Sequence, residues 1–251
     1  SARYTITFQT LNRAWALAAP TASLTTARRP AQASATLPAM TAQPPSMPRV
    51  LLVHGIWNAK SWLTPLARRL RHEGFEVETF GYPSILGGPE PAIAALIARL
   101  QGGPPVHLVG HSLGGLIGLE ALRRAPGLPV QRMVCLGSPL CGSGAARDLG
   151  RRAWTAPVLG RSGGLLKAGC PPWEGTVPVG MVAGNVARGI GRLITRFGGE
   201  SDGTVALEET RLPGLAAHCV VPASHTGLVF SAHAARQAAH FLREGRFDSG
   251  P

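Results

Sequence analysis

The stretch Pro105–Ile117, which reads PVHLVGHSLGGLI, decides the fold of this chain. A short apolar segment leads to a serine that is flanked by glycines, and a helix-compatible segment follows. This order predicts a strand, a sharp turn and a helix, with Ser112 at the turn. Gly110 and Gly114 are needed because side chains there would collide with the neighbouring strand and helix. We therefore expect the Ser112 hydroxyl at a helix N-terminus, where backbone N–H groups can stabilise an oxyanion.

The same spacing of glycine, serine and glycine occurs twice, so the spacing alone does not identify a nucleophile. The second copy, Gly160–Gly164, has only Val158 and Leu159 ahead of it and lacks a strand that leads into the turn. We therefore interpret Ser162 as a loop residue and Ser112 as the nucleophile. The alternative for Ser112 is a tight turn between a strand and a helix that carries no chemistry.

An earlier segment is expected to complete the oxyanion site. Arg49–Trp57 reads as a buried strand that runs into a glycine turn. Leu113, the residue after the nucleophile, provides one backbone N–H, and Ile56 in the earlier loop provides the other. His54 precedes the serine in the chain, so we expect it to order this loop by hydrogen bonding rather than to act as the base.

A serine nucleophile needs a base, and the base needs an orienting carboxylate. Asp148 is expected to pair with an arginine on a helix, and Asp248 lies in the polar C-terminal tail. The remaining aspartate of the chain, Asp202, lies in the loop beyond the strand-like segment 177–183. Asp202 is therefore the predicted acid, and Glu200 is the alternative.

His225 is the predicted base because it directly follows a last strand that ends near Pro222. The carboxyl edge of an open α/β sheet is where functional sites gather. Other histidines fit this role less well. His218 begins the same strand at its opposite end, whereas His233 and His240 lie on the final helix.

Three side chains are candidates for contact with a substrate. His111 precedes the nucleophile and is expected to point away from it across the turn while lining the site. Trp57 follows the predicted oxyanion residue. Trp173 lies in the irregular stretch 138–176, which we interpret as a partial lid or a wall of the acyl pocket. A solvent-exposed excursion is the alternative for this stretch.

Strands and helices alternate along the chain. The predicted strands cover 49–54, 75–80, 106–110, 129–136, 177–183 and 217–222, and the predicted helices cover 61–72, 91–101, 113–124 and 231–243. This alternation predicts an α/β fold in which a mostly parallel central sheet carries helices on both faces.

The chain order Ser112, Asp202 and His225 is that of the α/β-hydrolase fold. With VHGI, GHSLGG, LGSP, SDGTV and SHTGL in sequence, the chain resembles a small bacterial serine esterase or lipase of that superfamily. The resemblance implies a hydrolase that cleaves carboxylic esters through an acyl-enzyme. The superfamily also hosts acyltransferases, thioesterases and amidases, and a non-catalytic binding protein is a further alternative.

Residues 1–46 differ in composition from the rest. They are rich in Ala, Thr and Pro and contain no acidic residue. We predict that they are disordered or non-native sequence ahead of a start at Met47, and that 47–251 forms one catalytic domain. Neither a secretory signal nor an apolar run of roughly 18 residues is found, so we expect a cytoplasmic protein.

The formal net charge of +12 comes mainly from scattered arginines. Because no basic stripe is interleaved with aromatic residues, we expect no nucleic-acid partner. A basic surface favours peripheral contact with anionic lipid headgroups, and the expected partner is a small-molecule or lipid acyl ester. No spacing typical of a metal site occurs, and no cofactor is expected.

The four cysteines form no C-x-x-C pair. Cys135 and Cys219 lie in apolar strand-like segments, so free thiols are favoured over a disulfide framework. A bond between Cys141 and Cys170 across the irregular stretch is the alternative.

Overall fold

A computed structural model of the chain describes residues 47–55, 60–82, 88–142, 170–187 and 200–250. Within these ranges, six strands form one parallel sheet in the order β2-β1-β3-β4-β5-β6. The strands are β1 (Arg49–Val53), β2 (Glu76–Phe80), β3 (Val106–His111), β4 (Val130–Leu136), β5 (Val179–Gly184) and β6 (Ala217–Val221).

Helices connect and cover these strands. In the described ranges they are α1 (Thr64–His72), α2 (Pro89–Leu100), α3 (Leu113–Arg124), α4 (Gly227–Phe230) and α5 (Ala232–Glu244), with 3₁₀ turns at Lys60–Leu63 and Leu207–Thr210. The predicted α/β fold with a parallel sheet is confirmed. The one-turn helix α4 was not predicted, and it lies directly after the segment that carries His225.

Two hydrophobic cores lie on the two faces of the sheet. Val50 and Leu52 of β1 belong to the core beneath α1 and α5. Leu51 and Val53 belong to the core beneath α2 and α3. Successive side chains of a strand point to opposite faces, so a strand that is apolar at every position must be covered on both sides. This is why the continuous apolar run in β1 produces a sheet buried on both faces.

The strand order fixes where a site can form. After β1 the chain moves outward to β2, and it then returns to β3 on the other side of β1. The connections after β1 and β3 therefore leave towards opposite faces, and ligands of open α/β sheets bind in the crevice at such a switch point. Gly55 follows β1 and Ser112 follows β3, so the predicted nucleophile lies at this crevice.

Residues 1–46 lie outside the described residues, and so does most of the irregular stretch 138–176. The proposed lid and the N-terminal extension therefore remain predictions. Only the two ends of the stretch, 138–142 and 170–176, are described.

Candidate active site

Ser112 occupies a sharp turn between β3 and α3, as predicted. Its backbone has φ 55° and ψ −122°, and it is the one non-glycine residue with positive φ in the described part of the chain. Such a conformation costs of order 1–3 kcal/mol and persists only where the surroundings enforce it. The Ser112 N–H donates to the carbonyl of Leu136 at 2.9 Å, and the Ser112 carbonyl accepts from Gly115 N–H at 3.0 Å.

The two glycines of the turn are required by close backbone contacts. A Cβ atom on Gly110 would lie 2.5 Å from Gly115 Cα. A Cβ atom on Gly114 would collide with the carbonyl oxygen of Val53. The second contact shows that the end of β1 lies against the first turn of α3. Both glycines are therefore required at this turn, as predicted.

One of the two predicted oxyanion donors is described. Leu113 is the first residue of α3, and the first N–H groups of a helix have no acceptor within the helix. The positive end of the helix dipole lies at the same place. Ile56, the predicted second donor, lies outside the described residues, as does Trp57. Gly55, which precedes Ile56, is buried at the end of β1.

His54 orders the loop after β1. Its Nε2 accepts from Tyr82 N–H at 3.3 Å, so its Nδ1 carries the proton and donates to the carbonyl of Gly55 at 2.9 Å. Tyr82 stacks on the imidazole with ring centroids 4.2 Å apart and donates its hydroxyl to the His54 carbonyl at 2.7 Å. Burial lowers the pKa of His54. A neutral histidine with both ring nitrogens engaged fits an ordering role rather than that of a base. No sequence pattern indicates this role of Tyr82.

Asp202 and His225 form a hydrogen-bonded pair. His225 Nδ1 lies 2.7 Å from Asp202 Oδ2. The other carboxylate oxygen, Oδ1, accepts from the backbone N–H groups of Thr204 at 2.9 Å and Val205 at 2.7 Å. Asp202 is only 1% exposed, and these donors satisfy a carboxylate that burial would otherwise penalise. The carboxylate is thus fixed in one orientation against the imidazole.

The pair lies beside the end of β4, next to the turn that holds Ser112. A Cβ atom on Gly137 would lie 3.1 Å from Asp202 Oδ2 and 3.2 Å from His225 Nδ1. Gly137 directly follows Leu136, whose carbonyl accepts from Ser112 N–H. Ser112, Asp202 and His225 therefore meet at one edge of the sheet. The Ser112 hydroxyl makes no hydrogen bond with another described residue, and such bonds often tighten only when substrate is bound.

Among the described residues, neither Glu200, the alternative acid, nor Asp248 makes a hydrogen bond with His225. Glu200 is exposed and takes part in this region through its carbonyl, which accepts from Leu207 N–H at 2.8 Å. Asp248 lies near the C-terminus, where its carboxylate accepts from Gly250 N–H at 3.0 Å. Asp148 lies outside the described residues. Geometry thus favours Asp202 over the other carboxylates of the described chain.

Three other histidines, all considered above as candidate bases, have hydrogen-bond partners away from Ser112. His218 Nε2 lies 2.8 Å from the hydroxyl of Thr210, and burial lowers its pKa to about 4. His240 of α5 donates from Nδ1 to the carbonyl of Arg246, just after the end of that helix, at 2.8 Å. His233 on the same helix lies 3.4 Å from the amide of Gln237. None of the three approaches the pair formed by Asp202 and His225.

His111 is buried behind the site rather than open to a pocket. It is 2% exposed. Its Nε2 donates to the carbonyl of His225 at 3.1 Å, and the two rings have centroids 4.9 Å apart. Burial, followed by the charge of His225, lowers the pKa of His111 to about 3. His111 thus contacts His225, the predicted base, rather than lining an open pocket.

Trp173 lies away from the site, so its predicted role needs correction. Its indole Nε1 donates to the carbonyl of Val177 at 2.9 Å, just before β5 begins. Arg123, in the last turn of α3, donates to the carbonyl of Pro172 at 3.3 Å. A helix of this length spans about 18 Å, and Ser112 lies at its other end. The Trp173 side chain packs in the core on the α2 and α3 face.

Trp173→Ala is therefore expected to destabilise the fold by about 3–5 kcal/mol, as for other buried aromatic truncations. We expect no change in the preference for short or long acyl chains. Denaturant unfolding and a series of p-nitrophenyl esters measure the two effects. Trp62→Ala is the control for stability. Because Trp62 is 38% exposed, its truncation should lower the free energy of unfolding by less than Trp173→Ala does. An altered acyl preference with unchanged stability would contradict this placement.

The cysteines divide into a bonded pair and two free thiols. Cys141 and Cys170 form a disulfide with Cα atoms 4.0 Å apart, so the expectation of free thiols is wrong for this pair. The bond joins the two described ends of the stretch 138–176. Burial raises the pKa of both Cys135 and Cys219 to about 12. Neither thiol is therefore a nucleophile at neutral pH.

A family model described as the alpha/beta hydrolase family matches residues 50–243. This range runs from β1 to the last turn of α5 and includes Ser112, Asp202 and His225. The chain belongs to the alpha/beta hydrolase family. Its parallel sheet and the sharp turn at Ser112 agree with this membership, and the family indicates a hydrolase.

Several solved structures share this fold. The mature lipase of Bacillus licheniformis is 21% identical, with a TM-score of 0.64 over 81% of this chain and 94% of that chain. A metagenomic carboxyl esterase is 18% identical, with a TM-score of 0.57 over 84% of this chain and 82% of that chain. A pyrethroid hydrolase is 16% identical, with a TM-score of 0.54 over 79% of this chain and 98% of that chain. No curated protein sequence matches the chain.

Two kinds of feature are absent from the described residues. No group of three or more His, Cys, Asp or Glu side chains in the described ranges is placed to hold a metal ion. No helix among these residues is long and apolar enough to cross a membrane.

Proposed function

We propose that this alpha/beta hydrolase is a serine hydrolase that cleaves carboxylic esters through an acyl-enzyme. The nucleophile is Ser112, the base is His225 and the orienting acid is Asp202. The observation that carries the proposal is the 2.7 Å hydrogen bond between His225 Nδ1 and the buried carboxylate of Asp202, beside the strained turn at Ser112. A binding protein on this fold has no need of such a pair next to a strained serine.

Acylation begins when His225 Nε2 takes the proton from Ser112 Oγ and the oxygen attacks the ester carbonyl carbon. Because Asp202 accepts from Nδ1–H, Nε2 carries the lone pair that receives this proton. The carbonyl oxygen becomes an oxyanion, which the N–H groups of Leu113 and Ile56 are proposed to stabilise. The tetrahedral intermediate then collapses, and the leaving alcohol takes the proton from the His225 imidazolium.

Deacylation repeats the same proton transfers with water. His225 removes a proton from a water molecule, the hydroxide attacks the Ser112 acyl ester, and the second oxyanion forms at the same donors. Collapse of this intermediate releases the carboxylic acid and returns the proton to Ser112 Oγ. Asp202 remains ionised throughout and stabilises the imidazolium in both half-reactions.

A panel of substrates with one acyl group tests the ester assignment. The butyryl ester, thioester and anilide are compared by kcat/KM, followed by p-nitrophenyl esters from acetate to octanoate, with Ser112→Ala as the blank. We expect the ester to be the preferred substrate. A higher kcat/KM for the thioester or the anilide would replace the ester assignment with thioesterase or amidase activity. Faster transfer of the acyl group to an added alcohol than to water would indicate an acyltransferase.

A further inference from the structure

We propose that His111 is a positioning residue that holds the main chain of His225 in place for proton transfer with Ser112. This inference rests on the proposed function, because it takes His225 to be the base. The contact is direct, with 3.1 Å between His111 Nε2 and the His225 carbonyl oxygen. A carbonyl oxygen only accepts hydrogen bonds, so Nε2 must carry the hydrogen and donate it.

The backbone of His225 is held from two sides. Its N–H donates to the carbonyl of Asp202 at 2.9 Å, and its own carbonyl accepts from His111. The segment 222–226, between β6 and α4, belongs to no strand or helix, and loops of this kind move more than the elements they connect. His111 belongs to the central strand β3. The hydrogen bond therefore connects the loop that carries His225 to the strand that leads directly into Ser112.

His111 provides this donor without adding charge. Its Nδ1 is buried and has no hydrogen-bond partner among the described residues, so a second proton on the ring would have no acceptor. Burial, followed by the charge of His225, lowers the pKa of His111 to about 3. The ring consequently stays neutral near pH 7. It does not repel the imidazolium that forms on His225 during turnover, as a lysine or arginine at this position would.

His107 offers a matched control in the same strand. It is 4% exposed, compared with 2% for His111, and its Nδ1 also lacks a partner among the described residues. Both side chains point to the same face of β3, since they are four residues apart. The His107 ring contacts Phe75 edge to face, with centroids 6.1 Å apart. The two histidines therefore share residue type, strand and burial, and differ in contact with His225.

The experiment compares His111→Phe, His111→Gln and His107→Phe in the full chain. His111→Phe removes the donor and is expected to lower kcat on a preferred ester by about 10²-fold with KM nearly unchanged, as expected when a reacting group is displaced. His111→Gln can still donate from its amide, so it should recover most of this loss. His107→Phe should leave kcat near the wild-type value while lowering the melting temperature about as much as His111→Phe.

Proton NMR gives a readout that does not depend on turnover. The proton between His225 Nδ1 and Asp202 Oδ2 should give a low-field resonance because the bond is short and charge-assisted. We expect His111→Phe to shift or broaden this resonance, and His107→Phe to leave it in place. The resonance also separates two failures. If wild type cleaves no ester, the proposed function fails, while the resonance still reports whether His111 holds His225.

Three results would overturn the assignment. One is a kcat loss in His107→Phe equal to that in His111→Phe, which would indicate a general effect of core substitution. Another is a His111→Gln variant as slow as His111→Phe, because hydrogen-bond donation would then not be the cause. The third is wild-type kcat and an unchanged resonance in His111→Phe. His111→Leu, a smaller side chain without a donor, replaces His111→Phe in each comparison if the latter does not fold.

Discussion

Ser112→Ala is expected to lower kcat on the preferred ester by about 10⁶-fold, the loss typical of a nucleophile removed from a triad. The substitution removes the hydroxyl alone and leaves a small side chain at the turn. Circular dichroism and the melting temperature should therefore stay close to those of wild type. Steady-state kinetics with a p-nitrophenyl ester measures the effect.

Ser162→Ala is the control for this substitution. Ser162 has the same flanking glycines but no strand that leads into it, so its loss should leave kcat nearly intact. A large loss in Ser162→Ala together with an active Ser112→Ala would place the nucleophile at the second copy of the motif. It would also remove the role proposed for the strained turn.

Asp202→Asn is expected to lower kcat by up to about 10⁴-fold. An amide at this position no longer requires the Nδ1–H form of His225, so the imidazole loses the tautomer that leaves Nε2 free for the Ser112 proton. The neutral amide also no longer stabilises the imidazolium that forms on His225. Measurement of kcat/KM for Asp202→Asn and Glu200→Gln compares the two acids, and Glu200→Gln should be nearly silent because Glu200 is exposed.

The double variant of Asp202→Asn with His225→Ala tests whether the two residues act as a unit. Members of a triad are strongly non-additive, so the double variant should be scarcely slower than His225→Ala alone. If the loss of kcat in the double variant equalled the product of the losses in the two single variants, the result would contradict a shared role. A large loss in Glu200→Gln with a near-silent Asp202→Asn would move the acid to Glu200, while the ester-hydrolase proposal would survive.

The elements around Ser112 could be predicted because their signals are local. The strand, the turn and α3 are contiguous, and Gly110 and Gly114 mark the two close contacts that the turn requires. The position of His225 also follows from local order, since it comes directly after β6. Asp202, in contrast, is predicted by elimination of the other aspartates, because no local pattern identifies it. Its surroundings explain why it fits, since two backbone N–H groups satisfy the oxygen that His225 leaves free.

The contacts that sequence reasoning missed depend on tertiary structure. The partner of His111 is 114 positions further along the chain, and Tyr82 meets His54 across 28 positions. No local pattern encodes such distances. The motif GHSLGG places His111 near the site, but only the three-dimensional structure shows that its side chain meets the carbonyl of His225.

Trp173 shows how an interpretation based on composition can fail. A tryptophan among prolines and glycines is compatible with a pocket wall. The sequence does not show which end of the sheet the chain approaches before β5. In the fold, the segment after Cys170 runs down to the start of β5, and this carries Trp173 away from the crevice. The short helix α4 and the 3₁₀ turn Leu207–Thr210 were missed because both are too short to show a hydrophobic period. The predicted helix 61–72 is present, but its first residues form a 3₁₀ turn, Lys60–Leu63.

Labelling with a fluorophosphonate, mapped by mass spectrometry of the digested protein, tests the central claim most directly. The reagent phosphonylates a serine hydroxyl that a neighbouring base activates, and it needs no knowledge of the natural substrate. We predict one adduct, on the peptide that contains Ser112, which is lost in Ser112→Ala and strongly slowed in His225→Ala. An adduct on Ser162 or another serine with none on Ser112, or a labelling rate unaffected by His225→Ala, would contradict the account.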